Sequence, residues 1–225
     1  MELSERDINI LKLVGIFSQL STPHLRNLVF YDRSHSVADV VLNRLVKLKY
    51  LARVGKRASE ERGGTSPWVY QLGQFGRALF EIQARPATHP SRHALMIADT
   101  FIALREAQAL GLLQIRRWDV ALSVPPVRAD LFVALDFPAQ QRESKYFLEI
   151  DLGNESRSVI LEKLRGYWQV ADQSTEEFFP YVVFVTRNQA VANQLKGYIR
   201  NAPEEQQEMT RVFTLAELIP QLAQL

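Results

Sequence analysis

Glu149 and Asp151 stand two apart in the run Phe147-Leu148-Glu149-Ile150-Asp151, alternating with apolar neighbours. On a β-strand, residues two apart project to the same face, so both carboxylates point together. Asp130 opens an earlier β-like run, and if that strand is adjacent, three carboxylates converge. Converging hard oxygens are what Mg²⁺ requires. Such a site activates water against a phosphodiester and stabilises the charge that develops. Lys163 shares a helical stripe with Val159 and Tyr167 and can aim its ammonium at the acids. Glu155 falls at the start of that helix, where the dipole favours a carboxylate in any case. A plainer reading pairs the acids with Arg128, Arg157 or Arg165, which are close in sequence. Trp118, Tyr146, Tyr167 and Trp168 read as packing aromatics, and His93 as a hydrogen-bonded core histidine.

The elements that must hold these residues follow from periodicity. A long helix from Ser91 to about Leu110 precedes strands at Leu113–Trp118, Leu131–Leu135 and Tyr146–Ile150. A helix from Ser156 to about Ala171, the apolar strand Tyr181–Val185, a helix near Asn188–Arg200, a strand at Arg211–Phe213 and a last helix from Leu215 complete the chain. This is a three-layer α/β arrangement around a mixed sheet.

The first eighty-odd residues read differently. Ser4-Glu5-Arg6-Asp7 is a capping motif for a helix burying Ile8, Leu11, Val14 and Phe17. Thr22-Pro23 starts a second helix with a hydroxyl cap and proline at the first position. A third begins at Ser36, packing Val37, Val40, Val41, Leu45 and Leu48 inward. Its other face presents Ser36, Asp39, Asn43 and Lys47, with Arg44 at the margin. Asn, Arg and Lys are side chains that pair with base edges in the major groove, whereas Asp39 repels phosphate. Leu51–Lys56 and Trp68–Leu72 then form a hairpin around a Gly63-Gly64 tip. It offers Arg53, Lys56, Arg57 and Arg62 to a phosphate backbone. A fourth helix follows from Gln74.

Three helices followed by a hairpin resemble winged-helix domains, which implies contact with double-stranded DNA. Residues 1–86 carry 13 Lys/Arg against 8 Asp/Glu, while residues 87–225 carry 14 against 17. The basic front suits a polyanion. The expected division is therefore a winged-helix domain over 1–86 and an α/β domain over 87–225. The chain is 47% hydrophobic, enough for sizeable cores, yet lacks the apolar run of about 18 residues that a membrane span needs. With no cysteine, an acidic and polar start and four scattered histidines, the chain reads as cytoplasmic, without disulfides or a zinc site.

Helix, three strands, helix, strand resembles the PD-(D/E)XK nuclease-like fold. That resemblance places its strand-borne acids, and hence a Mg²⁺ site, on Asp130 and Glu149. Ala129 stands where the family has proline, and Asp151 where it has lysine; some members carry that lysine on the next helix, which points to Lys163. The preceding helix offers Glu106 or Asp99 as a further acid.

More narrowly, Glu149-Ile150-Asp151-Leu152-Gly153-Asn154-Glu155 followed by Lys163-Leu164-Arg165-Gly166-Tyr167, behind a winged helix, is similar to the replication-relaxation family. That resemblance implies plasmid- or mobile-element-encoded proteins that bind an origin-type site, some beside a relaxase or replication protein. Three functions stay open: a DNA-binding accessory factor, a Mg²⁺-dependent DNA endonuclease with Asp130, Glu149, Asp151 and Lys163 as its site, and a winged-helix repressor. Paired half-sites would raise affinity, so a homodimer is a further expectation.

Overall fold

Ser4 sets the first helix: its hydroxyl accepts from the Asp7 amide while the Asp7 carboxylate accepts from the Ser4 amide, a reciprocal cap. The computed structural model describes residues 2–57, 66–175 and 178–225. Arg62 and the Gly63-Gly64 tip lie outside the described residues.

The described chain divides into two compact units, 1–102 and 103–225. The division falls inside a helix rather than at the Pro86–Pro90 connector.

In the first unit, α1 (Glu5–Phe17) leads through the short β1 (Leu20–Ser21) into α2 (Thr22–Val29) and α3 (His35–Lys47). Strands β2 (Leu51–Lys56) and β3 (Trp68–Leu72) follow, then α4 (Gln74–Leu79) and α5 (Arg92–Ala109), which runs on past the division. The sheet has the order β1-β3-β2 and is antiparallel throughout. Its core is built from Ile10, Leu11, Val14, Phe17, Leu25, Leu42, Leu45 and Val69.

Three local expectations shift. Ile10 is fully buried while Ile8 is only half-buried. The cap of α2 is Ser21, not Thr22. On α3 the buried residues are Ala38, Val41, Leu42 and Leu45, whereas Val37 is 36% and Val40 68% exposed. Both arcs of α3 are apolar enough to pack, so periodicity alone does not choose between them; burial of the larger Leu42 does.

The second unit holds β4 (Gln114–Val124), β5 (Val127–Phe137), β6 (Arg142–Asp151), α6 (Arg157–Asp172), β7 (Tyr181–Thr186), α7 (Gln189–Ile199), α8 (Glu204–Glu208), β8 (Thr210–Thr214) and α9 (Leu218–Leu222). Helix α8 has no counterpart in the periodicity reading. The class is α+β, and the five-stranded sheet runs β4-β5-β6-β7-β8. Its first three strands are antiparallel and its last three parallel, joined by helical crossovers.

One sheet face, with Phe132, Phe147, Val182, Phe184 and Val212, packs against Ile160, Leu164 and Tyr167 of α6 and Ala192 and Leu195 of α7. On the opposite face the Tyr146 hydroxyl donates to the Leu222 carbonyl at 3.2 Å, fixing α9 there. Gly166 lets α6 approach β5 closely, since a Cβ there would stand 2.5 Å from Val127 Cγ1.

Candidate functional site

Each unit carries its own constellation. In the first, Ser36, Val40, Asn43 and Lys47 recur at intervals of three or four, so at about 100° per residue they form one outward stripe along α3. All four are exposed. Beside them, Arg53 of β2 donates to the Asn43 side-chain carbonyl. Its guanidinium also lies 4.7 Å from the Trp68 ring centroid, and the Lys56 ammonium lies 5.4 Å from the same ring. The two hairpin cations thus flank an aromatic that is itself 37% exposed.

Other expected contact residues are engaged elsewhere. Arg44 donates to the Asp7 carboxylate at 2.5 Å, tying α3 to α1. Burial alone would raise the Asp7 carboxyl, but hydrogen bonds from Ser4 and the Arg44 guanidinium bring it below the ordinary range. Arg57 grips Asp99 of α5 through two bonds of 2.8 and 2.7 Å. His24 accepts from the Ser21 amide at Nδ1, so its Nε2 carries the proton and donates to Asp99 at 2.8 Å. Desolvation pushes the Asp99 carboxyl up; the His24 and Arg57 bonds outweigh it and lower it. Asp99 lies in the first unit, held by His24 and Arg57. Asp39, the one acid on the outer face of α3, accepts from Arg26 at 3.1 and 3.3 Å. Its repulsion toward an anion is largely cancelled.

The second constellation forms where β5 and β6 part. Their register ends at Leu131↔Leu148. Beyond it the Asp130 carboxylate accepts from the Ile150 amide at 2.8 Å, replacing a backbone carbonyl. Glu149 is 2% exposed. One of its oxygens accepts from the Tyr167 hydroxyl at 2.5 Å and the other from the Lys163 ammonium at 2.9 Å. Lys163 donates also to Glu155 at 2.9 Å. Burial raises the Glu149 carboxyl; Lys163 opposes that and the Asp130 charge reinforces it, leaving it at about 7. Lys163 loses by burial but gains more from Glu149 and Glu155, so its ammonium is held charged. Burial and the neighbouring Glu149 charge push the Tyr167 hydroxyl well up, keeping it a donor.

Asp151 serves the turn after β6. Its Oδ1 accepts from the Gly153 amide at 2.6 Å, and Gly153 adopts φ +85°, a left-handed conformation that glycine takes without strain. Burial, with the Glu155 charge adding to it, raises the Asp151 carboxyl. Glu149, Asp151 and Glu155 of the motif thus each have a defined partner. Glu106 is exposed on α5.

A cavity of about 500 Å³ opens onto Glu149, Lys163 and Tyr167, with Arg128 and Arg165 among its lining residues. Glu149 takes a lysine and a tyrosine as partners, not the arginines that the sequence offered. As placed, these acids do not make a Mg²⁺ cage. Both Glu149 oxygens face hydrogen-bond donors, the Lys163 ammonium stands among the acids as their counter-ion, and among the described residues no group of three or more His, Cys, Asp or Glu is disposed to hold a metal.

Sequence reasoning missed Tyr167 as a polar partner of Glu149, Trp68 as the seat of the hairpin cations, and Arg26 as the neutraliser of Asp39. The first was recoverable, because Lys163 and Tyr167 lie four apart on one helical stripe. The other two depend on contacts between elements that no local spacing encodes.

Among the described residues no helix is long and apolar enough to cross a membrane. A search of curated proteins finds no match to this chain. The replication-relaxation family model matches residues 11–182, a span that runs from α1 through the Glu149–Lys163–Tyr167 cluster into β7, and the chain belongs to that family.

Proposed function

We propose that this protein is a double-stranded DNA-binding accessory factor of plasmid or mobile-element replication or mobilisation. Membership of the replication-relaxation family points to a replication- or mobilisation-related role. The finer reading takes the first unit as a winged helix that docks α3 in the major groove and the β2–β3 hairpin on the backbone. It takes the second as a PD-(D/E)XK-like fold that contributes DNA contact or assembly without cleavage, beside a relaxase, a replication protein or a second copy of the chain.

The observation that carries the reading is the outward stripe of α3. It includes Val40 at 68% exposure, in a helix whose opposite face is fully packed. An exposed valine flanked by Ser36, Asn43 and Lys47 suits a base edge, where an apolar group meets a thymine methyl and polar groups meet donors and acceptors. Arg53 and Lys56 stand alongside for phosphate. In the second unit, the internal pairing of Glu149 with Lys163 supports a role without metal-dependent cleavage.

The test is binding of the full chain to duplex DNA across a salt series. Affinity falls as salt rises because phosphate contacts release counterions. Joint Arg53→Ala and Lys56→Ala substitution weakens binding to all sequences and flattens the salt slope. A wild-type chain without affinity for duplex, or a slope untouched by the double variant, overturns the docking.

A further inference from the structure

We infer that Asn43 is a specificity-determining residue that Arg53 orients, so that α3 reads guanine rather than adenine at the position Asn43 meets; this rests on the DNA-binding reading above. Asparagine most often specifies adenine by using both ends of its amide, the carbonyl accepting from N6 and the NH₂ donating to N7. That bidentate contact needs a side-chain carbonyl turned toward the base.

Here one of the carbonyl's two lone pairs is taken, and by a cation. Asn43 Oδ1 accepts from the Arg53 guanidinium. Guanidinium has donors only, so the amide must turn its oxygen to Arg53 and its NH₂ away. The arginine does not hang freely either: its guanidinium is held over the Trp68 ring at 4.7 Å, and Trp68 pairs with Lys56 across the hairpin. Asn43 and Arg53 both lie on the exposed surface, and Asn43 sits between Val40 and Lys47 on the outward stripe. What is offered to a base is an NH₂ group with two donors, while the carbonyl's second lone pair lies beside the Arg53 guanidinium, itself all donors. The better-matched major-groove edge is guanine, which offers N7 and O6 as acceptors and no donor, whereas adenine brings an N6 donor up against a carbonyl already bonded to a cation.

Arg53 acts through Asn43 and is a positioning residue. If it served phosphate alone, its loss would weaken all duplexes equally. The discriminating readout is therefore a ratio of affinities between bases and not an affinity.

The experiment selects preferred sites from a randomised duplex library with the full chain, then measures binding to duplexes differing at one base pair. Wild type, Asn43→Ala and Arg53→Met are compared at one salt concentration. The position whose preference vanishes with Asn43→Ala is expected to favour guanine over adenine by about tenfold in the wild type. Arg53→Met frees the Asn43 carbonyl, and the ratio narrows or reverses toward adenine. An adenine preference in the wild type, a ratio unchanged by Arg53→Met, or no position that depends on Asn43 overturns the inference while leaving DNA binding intact. A wild-type chain that binds no duplex overturns the DNA-binding reading itself.

Discussion

The two units bury ionic clusters of opposite balance. In the first, Asp99 meets one bidentate arginine and one histidine N–H, and Asp7 meets Arg44 and its own helix cap. In the second, Glu149 meets a single ammonium that it shares with Glu155, while Asp130 adds its charge nearby. The acids of the first unit are lowered; Glu149 is raised to about 7. The difference teaches what each cluster is for. Acids matched by cations fasten one element to another, whereas in a cluster with more carboxylates than cations the buried acid is pushed up.

Breaking Glu149 should cost most. Glu149→Ala leaves the Lys163 ammonium and Tyr167 hydroxyl without their buried acceptor, and loss of one partner of a buried pair costs about 3–5 kcal/mol. Urea denaturation checks this, with Asp99→Ala expected to cost less because Arg57 is 27% exposed and can turn to water.

The comparison is sharpened by pH. Folded Glu149 keeps its proton to about pH 7, whereas the unfolded chain loses it near 4.5. Between those values the folded state binds more protons, so this group's contribution is full below 4.5 and lost as pH rises to about 7. Asp7 and Asp99 do the reverse. Their carboxyls are lowered from 3.8, so their contribution is present above that value and fades as pH falls below it. Stability measured against pH should show both limbs, and Glu149→Gln should flatten the one between 4.5 and 7 alone.

A smaller effect attends Gly153→Ala. The added Cβ meets φ +85° and stands 2.8 Å from Val191 Cγ2, for a loss of about 1–2 kcal/mol. Ser156→Ala, which removes a helix cap accepting from the Val159 amide, should cost about 1 kcal/mol. Thermal unfolding resolves both.

Much of this was legible in the sequence where one residue type has one physical use. Ser4 and Asp7 announce a cap, and Tyr181–Val185 announces a strand buried on both faces. Glu149 in an apolar strand announces a carboxylate that needs a partner. What stayed hidden is the identity of partners across elements. Arg57 and Arg44 look like surface cations until Asp99 and Asp7 are brought to them, and Val40 looks like core until Leu42 occupies that place. Charge and apolarity are written locally; pairing is decided by packing.

Incubation of the full chain with supercoiled plasmid and Mg²⁺ or Mn²⁺, beside a metal-free sample and Glu149→Ala, all run on a native gel, tests the account most directly. Retarded but intact plasmid is expected in every lane, Glu149→Ala included. Metal-dependent nicking that disappears with Glu149→Ala would contradict it and make the second unit an endonuclease; unretarded plasmid would contradict the DNA-binding claim.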